Sequence, residues 1–200
     1  MKLLLFDFGG VIAPEGFQLG VLKLAFKYGR NFKEMYELAG YQAGLLFGYT
    51  TGKRTENEYW EELARLLGRS GEDISEDRWL ILDNFQPRKR MLELIRQLHT
   101  DGIEMGIFSD QTNWIYEVDK EIPFLYNFKY TFISCDLGFS KHDEQFYGIP
   151  SEKTGIKPGD ITVIDDKERV VTNCRKAGMK AFLFTTVPEF EKALPEIIRG

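Results

Sequence analysis

The sequence predicts an α/β fold: a doubly wound parallel sheet that carries an inserted α-helical segment. Five short apolar runs rich in β-branched and aromatic residues recur along the chain, and segments with helical periodicity lie between them. This alternation is typical of a parallel sheet with helices packed on its faces. Two of the predicted helices end in a glycine just before a strand, at Gly102 and Gly178, which is a common way to terminate a helix.

The first predicted strand is LLLF at residues 3–6, and no comparable strand follows it for a long stretch. That stretch, residues 14–86, instead has the pattern of helices, in FQLGVLKLAFKYG, FKEMYELAGYQAGLLFG and ENEYWEELARLLG. Thr55, with Glu58 three residues later, forms a capping-box pattern at the start of the last of these helices. We therefore expect a helical insertion at 14–86 within a core formed by 1–13 and 87–200.

The second half of the chain supplies the remaining strands and the helices that connect them. The strands are predicted at EMGIFS (104–109), YTFIS (130–134), ITVID (161–165) and KAFLF (180–184). The segments RMLELIRQLHTDG and RVVTNCRKAGM have helical periodicity, and each precedes a strand. All of these strands are therefore expected to join the first one in a single parallel sheet.

Composition and charge exclude several classes of protein. The chain has 200 residues, of which 43% are hydrophobic and 28% charged, enough to bury a sizeable core. A formal charge of -5 and a pI near 5.2 argue against a nucleic acid partner. The first apolar run is too short to span a membrane and lacks a signal-peptide pattern, so we expect a cytoplasmic protein with no membrane partner. Cys135 and Cys174 have no spacing typical of disulfide frameworks or zinc sites.

Polar side chains stand where three of the predicted strands end. Asp7 follows the first strand, Ser109 and Asp110 end the second, and Asp165 with Asp166 ends the fourth. The carboxyl ends of parallel strands open onto one crevice, so four carboxylates are expected to converge there. A bound cation or a shared proton would relieve their repulsion, and oxygen ligands without histidine or cysteine favour Mg²⁺. Each aspartate taken alone is equally well explained as a helix N-cap.

Four motifs in order along the chain resemble those of the haloacid dehalogenase-like hydrolase superfamily. They are FDFGGVI, IFSDQ, the lysine in GFSKHDEQFY, and VIDDKERVVTNCRKAG. The segment TTGKRTENEYWEEL also resembles the helical cap of the phosphatase-like branch, whose first motif can read DxG instead of DxD. This resemblance implies a Rossmann-like core, an aspartate nucleophile, a magnesium ion, and a mobile cap at 14–86 that helps to select the substrate.

The resemblance also implies roles for individual residues in phosphoryl transfer. Asp7 would attack phosphorus and form an aspartyl-phosphate, which water then hydrolyses. Lys141, the Ser109 hydroxyl and backbone N–H groups of the turn at Gly9 and Gly10 would hold the phosphoryl oxygens. The substrate would be a small phosphorylated metabolite. Lys141 alone would be interpreted as a solvated loop lysine, and its place in the third motif reverses that interpretation.

Magnesium would be held by aspartates at two strand ends. Asp165 and Asp166 would bind it directly or through water, together with Asp7 and the backbone carbonyl of Gly9. Asp110, implied to lie beside the substrate, stands where many relatives have asparagine. Its extra charge near a phosphate would be unfavourable unless it is protonated or faces the metal.

The main departure from the family pattern is Gly9, where most phosphatases of this family carry an acid that protonates the leaving alcohol. The contribution of such a group is typically about 10²–10⁴-fold in rate. Glu15, Asp110 and Glu168 are nearby candidates to replace it. Alternatively, the true leaving group needs little protonation, or the enzyme is slow.

Three functions are therefore compatible with the sequence. The first is a magnesium-dependent phosphatase. The second is a 2-haloacid dehalogenase, in which Asp7 attacks carbon and the halide leaves without needing a proton. The Asp165–Asp166 pair argues against this function. The third is a non-catalytic protein that binds a phosphometabolite or a protein partner on the same scaffold. The sequence does not determine the oligomeric state.

Overall fold

Five parallel strands form a single sheet in residues 2–69 and 75–199, the part of the chain that the computed structural model describes. The strands are β1 Leu3–Phe6, β2 Met105–Ser109, β3 Tyr130–Ile133, β4 Ile161–Asp165 and β5 Lys180–Leu183. Their order across the sheet is β3-β2-β1-β4-β5, and each neighbouring pair is parallel. The predicted α/β fold is confirmed, with every strand within one residue of its predicted bounds.

The strand order places a switch point beside the central strand. The chain builds the sheet outward through β2 and β3 on one side of β1, and through β4 and β5 on the other. In such a sheet, ligands bind in the crevice at the carboxyl ends of the strands where the order reverses. Asp7 follows β1 and Asp165 ends β4, and these two strands are neighbours, with Phe6 opposite Ile164.

Helices cover both faces of the sheet. Side chains of β1 alternate between two cores: Leu4 and Phe6 face one, and Leu3 and Leu5 face the other. Helices α5, α6 and α10 contribute to the first core, and α8 and α9 to the second. All four residues of β1 are fully buried, as expected for a central strand of a parallel sheet.

The helices of the described residues have the following bounds. They are α1 Gly16–Lys27, α2 Phe32–Tyr36, α3 Glu56–Leu66, α4 Ser75–Leu82, α5 Lys89–Thr100, α6 Trp114–Glu121, α7 Ser134–Leu137, α8 Ile149–Thr154, α9 Glu168–Lys176 and α10 Val187–Arg199. A π-helix, Glu37–Leu46, continues α2, and short 3₁₀ turns occupy Leu125–Asn127, Glu144–Tyr147 and Pro158–Asp160. Helices were predicted at α1, α2, α3, α5 and α9, whereas α4, α6, α7, α8 and α10 were not identified from the sequence. None of these helices is long and apolar enough to cross a bilayer.

Between β1 and α5 the described residues form helices and turns, and the insertion at 14–86 stays a prediction. Residues 70–74 of that insertion, and the terminal residues 1 and 200, lie outside the described part of the chain. The capping box predicted at Thr55 and Glu58 is present at the start of α3. Helices α1 and α4 approach so closely that a Cβ at Gly20 would lie 2.5 Å from Cα of Ile81, so glycine is required there.

Polar contacts join this helical segment to the sheet-bearing part. Arg78 of α4 pairs with Glu56 of α3 at 2.6 Å and with Glu117 of α6 at 2.6 Å. The Ser134 hydroxyl donates to the carbonyl of Thr50 at 2.8 Å. These contacts fix the helical segment over the carboxyl ends of the strands.

Arg88 lies where the chain returns from the helical segment to the sheet-bearing part, and it hydrogen-bonds to residues 10–13, where the chain leaves that part. Its Nη1 donates to the carbonyls of Gly10, Val11 and Ala13 at 3.0, 2.7 and 2.6 Å. Its own backbone N–H donates to the carbonyl of Ile12 at 2.8 Å. One guanidinium therefore satisfies three carbonyls of the loop that follows Asp7.

We predict that Arg88→Lys lowers the free energy of unfolding by about 2 kcal/mol, because the shorter lysine side chain leaves its ammonium out of reach of the three carbonyls that Nη1 of Arg88 contacts. Urea unfolding measures the change. The matched control is Arg90→Lys, in which an exposed arginine that pairs with Glu93 and Glu191 is replaced. Equal stability of the two variants would show that the carbonyl contacts of Arg88 contribute nothing.

Candidate active site

Asp7 lies immediately after β1, and the contacts among the described residues bind its carboxylate through one oxygen, Oδ1. Its Oδ1 accepts hydrogen bonds from the Ser109 hydroxyl at 2.5 Å and from the backbone N–H of Phe8 at 2.8 Å. The ammonium of Lys141 lies 3.0 Å from the same oxygen. Among the described residues every hydrogen bond to this side chain goes to Oδ1, which leaves Oδ2 available to a ligand. Because Phe8 N–H donates to Asp7 itself, the amides left for a phosphate in this turn are those of Gly9 and Gly10.

Lys141 is buried, with only 3% of its surface exposed, so the interpretation as a solvated loop lysine is wrong. Its Nζ lies 2.6 Å from Oδ2 of Asp165 as well as 3.0 Å from Asp7. Burial alone would lower the pKa of Lys141, but the carboxylates of Asp165 and Asp7 raise it, so the ammonium stays charged. Its carbonyl accepts from Tyr147 and Arg169, both at 2.8 Å, which fixes the loop that carries it.

Burial has the opposite effect on Asp7. Loss of solvent raises the pKa of Asp7 to about 8, against the lowering influence of Lys141, while Asp165 raises it further. A carboxylate nucleophile has to be ionised, so additional positive charge is needed at this site. A divalent cation beside Asp7 would supply charge of that sign.

Asp165 and Asp166 differ in how their oxygens are used. Asp165 is fully buried, with Oδ2 on Lys141 and Oδ1 accepting from the backbone N–H of Lys167 at 2.9 Å. The N-cap residue of α9 is Lys167, so neither Asp165 nor Asp166 acts as the helix N-cap. Asp166 contacts Lys167 Nζ through Oδ2 at 2.7 Å, but its Oδ1 is buried and has no hydrogen-bond partner among the described residues. An unpaired buried carboxylate oxygen is costly, so Asp166 Oδ1 is positioned to bind an additional group.

The three carboxylates fit a divalent cation. Asp7, Asp165 and Asp166 each offer an oxygen, and these atoms lie within 4.8 Å of one another. Hard oxygen donors without nitrogen or sulfur are the ligands that Mg²⁺ prefers. Since both oxygens of Asp165 already have partners, Asp166 and Asp7 have the greater capacity to bind a metal directly.

The two glycines after Asp7 have different structural requirements. Gly10 has φ of 82°, and a Cβ there would lie 2.3 Å from Cγ of Asp166. Glycine at position 10 therefore allows Asp166 to lie against the loop. Gly9 is not in the left-handed region, and a Cβ there would meet Gln111 and Glu15 at an ordinary 3.6 Å. Gly9 thus leaves room for a side chain, whereas Gly10 does not.

Asp110 does not join the group of three carboxylates. Its Oδ1 accepts from the backbone N–H of Lys141 at 2.8 Å, so it positions the loop that carries the lysine. Asp110 lines the same cavity as Asp7, as expected from its strand end, but the group of oxygens within 4.8 Å of one another consists of Asp7, Asp165 and Asp166. Burial raises the pKa of Asp110, which favours a neutral group at this position.

A cavity of about 320 Å³ lies between this cluster and the helical segment. Asp7, Gly9, Asp110 and Lys141 line one end of it. Aromatic side chains line much of the rest, namely Phe17, Tyr36, Tyr41, Tyr49, Tyr59, Phe85 and Trp114. The sequence had suggested that most aromatic residues of the insertion form its own core and that a few face the crevice. Tyr36 and Tyr41 have 39% and 44% of their surfaces exposed, so their rings are accessible.

Several residues of the cavity were not identified from the sequence. Lys167 and Arg169 line it, and both follow the Asp165–Asp166 pair in the segment DDKER. Their spacing after the paired acids was the available signal. Phe17 and Gln111 also line the cavity, but no sequence pattern distinguishes them from ordinary helix and loop residues.

Similar proteins were found by sequence and by structure. No family model matches the sequence. A flavin mononucleotide hydrolase from Arabidopsis thaliana is 26% identical over 139 residues, which are 68% of this chain and 57% of that protein. A predicted HAD-like hydrolase from Porphyromonas gingivalis has a TM-score of 0.77 at 18% identity, over 100% of this chain and 98% of that one.

Two further structures carry ligands. A HAD family enzyme from Bacteroides thetaiotaomicron, in complex with magnesium and inorganic phosphate, has a TM-score of 0.71 at 18% identity, over 94% of this chain and 96% of that one. An L-2-haloacid dehalogenase from Xanthobacter autotrophicus, with chloropropionic acid covalently bound, has a TM-score of 0.64 at 13% identity, over 98% of this chain and 83% of that one.

These similarities confirm the fold inferred from the four sequence motifs. The structures match nearly the whole chain, and their low identity means that they establish the fold alone. The chain spans 57% of the length of the flavin mononucleotide hydrolase.

We predict that Gly10→Ala disrupts the Asp7–Asp166 cluster while Gly9→Ala does not. A Cβ at position 10 would displace Asp166 and hold alanine in the left-handed region, which costs about 1–2 kcal/mol. Magnesium affinity of Gly10→Ala should fall roughly tenfold or more. Titration calorimetry with MgCl₂ and urea unfolding measure the two effects. Similar magnesium affinities for the two variants would contradict this account of Gly10.

We also predict that Asp110→Asn is tolerated and Asp110→Ala is not. The amide oxygen of asparagine can still accept from the Lys141 N–H, and a neutral group is easier to bury. Alanine leaves that N–H without its partner, which should lower the free energy of unfolding by about 1–3 kcal/mol. Thermal unfolding of both variants gives the comparison, and equal losses would show that the hydrogen bond is unimportant.

Proposed function

Because the chain has the fold of the haloacid dehalogenase-like hydrolases, we propose that it is a magnesium-dependent phosphatase acting on a small phosphorylated metabolite. One observation carries this proposal: Asp7, Asp165 and Asp166 offer oxygens within 4.8 Å of one another, and Asp166 Oδ1 is buried with no hydrogen-bond partner in the described part of the chain. Lys141 lies beside the same cluster and adds a fixed positive charge. A phosphate ester bound there would meet a nucleophile and cations together.

Asp7 is the proposed nucleophile. Its Oδ1 is engaged by Ser109, Phe8 N–H and Lys141, so Oδ2 is the oxygen that attacks phosphorus. As the bond from phosphorus to Oδ2 forms, the bond to the ester oxygen breaks, and the alcohol leaves. Water then attacks the aspartyl-phosphate and releases inorganic phosphate, which regenerates the carboxylate.

Two kinds of positive charge would balance the phosphoryl oxygens. The Lys141 ammonium is held by Asp7 and Asp165 and needs no rearrangement to act. Asp7, Asp165, Asp166 and the carbonyl of Gly9 would hold the magnesium ion, which when bound neutralises phosphoryl charge and polarises the phosphorus. The amides of Gly9 and Gly10 would donate to the remaining oxygens.

The cavity supports a substrate with an aromatic or otherwise apolar body. Its volume of about 320 Å³ suits a small metabolite, and the exposed rings of Tyr36 and Tyr41 offer stacking surfaces. The relative from Arabidopsis acts, by its name, on flavin mononucleotide, a phosphate ester with a planar ring system. Flavin mononucleotide is therefore the first substrate to assay. The helical segment at 14–86 would be the cap over it.

Dehalogenation is less well supported than phosphate hydrolysis. The similarity to a haloacid dehalogenase, at 13% identity, supports the fold alone. A metal bound to Asp7 would weaken its attack on carbon, and Asp166 Oδ1 would stay unpaired without a cation.

The proposed location is the cytoplasm. Cys135 and Cys174 are both free thiols, which suits a reducing compartment. The net charge of -5 supports a small-molecule substrate in preference to a nucleic acid.

We predict that the parent protein hydrolyses 4-nitrophenyl phosphate and flavin mononucleotide only with magnesium, and that Asp7→Asn abolishes both activities. The amide keeps the shape of the side chain but is not a nucleophile, and it is easier to bury than a carboxylate, so the Tm should stay close to that of the parent. Asp101→Asn, at an exposed position, is the matched control. Phosphate release and thermal unfolding are the measurements.

Three results would contradict the proposal. Turnover by Asp7→Asn would exclude the covalent mechanism. Turnover in excess EDTA would exclude the metal. Chloride release from 2-chloropropionate, without phosphate release from either ester, would indicate a dehalogenase.

A further inference from the structure

Hydrolysis of an alkyl phosphate at Asp7 needs a proton donor for the leaving alcohol. An alkyl alkoxide is a poor leaving group unless a nearby acid protonates it, and water attacks the aspartyl-phosphate faster when a base removes its proton. Asp7 is engaged as the nucleophile and Lys141 is held between two carboxylates. The donor must therefore be another titratable side chain that lines the cavity.

Few side chains of the described cavity meet this need. Besides Asp7, its carboxyl groups are Glu15 and Asp110, and its imidazole is His142. Asp110 has no atom within 4 Å of a Cβ built on Gly9, and its Oδ1 accepts from the Lys141 N–H. Glu168, another candidate from the sequence, is exposed and lies outside the cavity lining. Glu15 and His142 remain.

The position of Gly9 distinguishes these two. A Cβ built on Gly9 would lie 3.6 Å from Oε2 of Glu15, so the Glu15 carboxyl already borders the space that a side chain at position 9 would enter. Position 9 is two residues after Asp7, on the same loop. Glu15 directly precedes α1, and the loop folds back through a bridge between Gly9 and Ala13, which brings the carboxyl over Gly9.

Glu15 is also oriented. Its Oε1 pairs with Lys167 Nζ. The same Nζ lies 2.7 Å from Oδ2 of Asp166. This contact engages one oxygen, and Oε2 is the oxygen nearest to Gly9. The Glu15 side chain is 31% exposed, so water and a leaving alcohol can both reach it.

We propose that Glu15 is the general acid and base of this site and replaces an acid at position 9. The inference rests on the proposed phosphatase function. In the first step, the Glu15 carboxyl gives its proton to the ester oxygen as the bond from phosphorus to that oxygen breaks. In the second, the Glu15 carboxylate takes a proton from the water that attacks phosphorus, and Asp7 is released. The proton balance closes over one turnover.

The test compares Glu15→Gln with the parent on a good and a poor leaving group, with magnesium present. On glycerol phosphate, Glu15→Gln should lower kcat by roughly 10²-fold or more with little change in KM, because the alkoxide is not protonated. On 4-nitrophenyl phosphate, 4-nitrophenolate leaves without help, so a burst equal to the enzyme concentration should precede slow turnover. A purely structural role for Glu15 would not produce that burst.

Four further variants complete the experiment. Adding Gly9→Asp to Glu15→Gln should restore part of the lost kcat on glycerol phosphate, since the new carboxyl enters the same space. Glu121→Gln, at an exposed position outside the cavity, is the matched control and should resemble the parent. His142→Gln tests the competing residue. If Glu15→Gln fails to fold, Glu15→Asp keeps the carboxyl group and should show no burst.

The outcomes separate the two proposals. Parent-like kcat of Glu15→Gln on glycerol phosphate would overturn the role of Glu15 and leave the phosphatase intact. A burst with His142→Gln and none with Glu15→Gln would assign the role to His142 instead. A parent protein that turns over neither ester with magnesium would overturn the phosphatase proposal, and this inference with it.

Discussion

The ammonium of Lys141, buried between Asp7 and Asp165, is the interaction on which the rest of the site depends. Carboxylates buried at neighbouring strand ends repel each other, and each is costly to remove from water. Lys141 compensates both at 3.0 and 2.6 Å, and it does so from a loop that neither of their strands carries. The loop is in turn fixed by Asp110, Tyr147 and Arg169. Ion pairing therefore couples the ends of β1 and β4 to the segment after β3.

The sheet and the location of the site could be predicted from the sequence because both depend on local patterns. Apolar runs and terminal glycines define the strands and helices, and parallel strands bring their ends to one edge. The positions of Asp7, Ser109 and Asp165 at strand ends therefore predict that these three side chains lie close together. The motif resemblance added Lys141, which composition alone would have assigned to the solvent.

Properties that depend on distances between loops could not be predicted. Both glycines after Asp7 look alike in FDFGGVI, yet only Gly10 is required for the approach of Asp166. Asp110 has the same strand-end position as the other aspartates, but its hydrogen bond from the Lys141 N–H and its place outside the group of three carboxylates are not visible in the sequence. Glu15 is six residues from Gly9 in the loop, and its proximity depends on how that loop folds back. The π-helix over Glu37–Leu46 likewise has no distinctive sequence pattern.

The contacts of Arg88 have a consequence for how such a protein can change over evolutionary time. The chain leaves the sheet-bearing part near Ala13 and returns at Arg88, and the two crossings are bonded to each other through Ile12, Gly10 and Val11. The helical segment therefore leaves and rejoins the sheet-bearing part at the same place. Insertions or deletions in the helical segment, or its complete replacement, leave the strand order and the carboxylate cluster in place. Because Glu15 lies at the start of the helical segment, such an exchange would leave the carboxylates at the sheet edge unchanged but would replace the proposed proton donor together with that segment's part of the cavity wall.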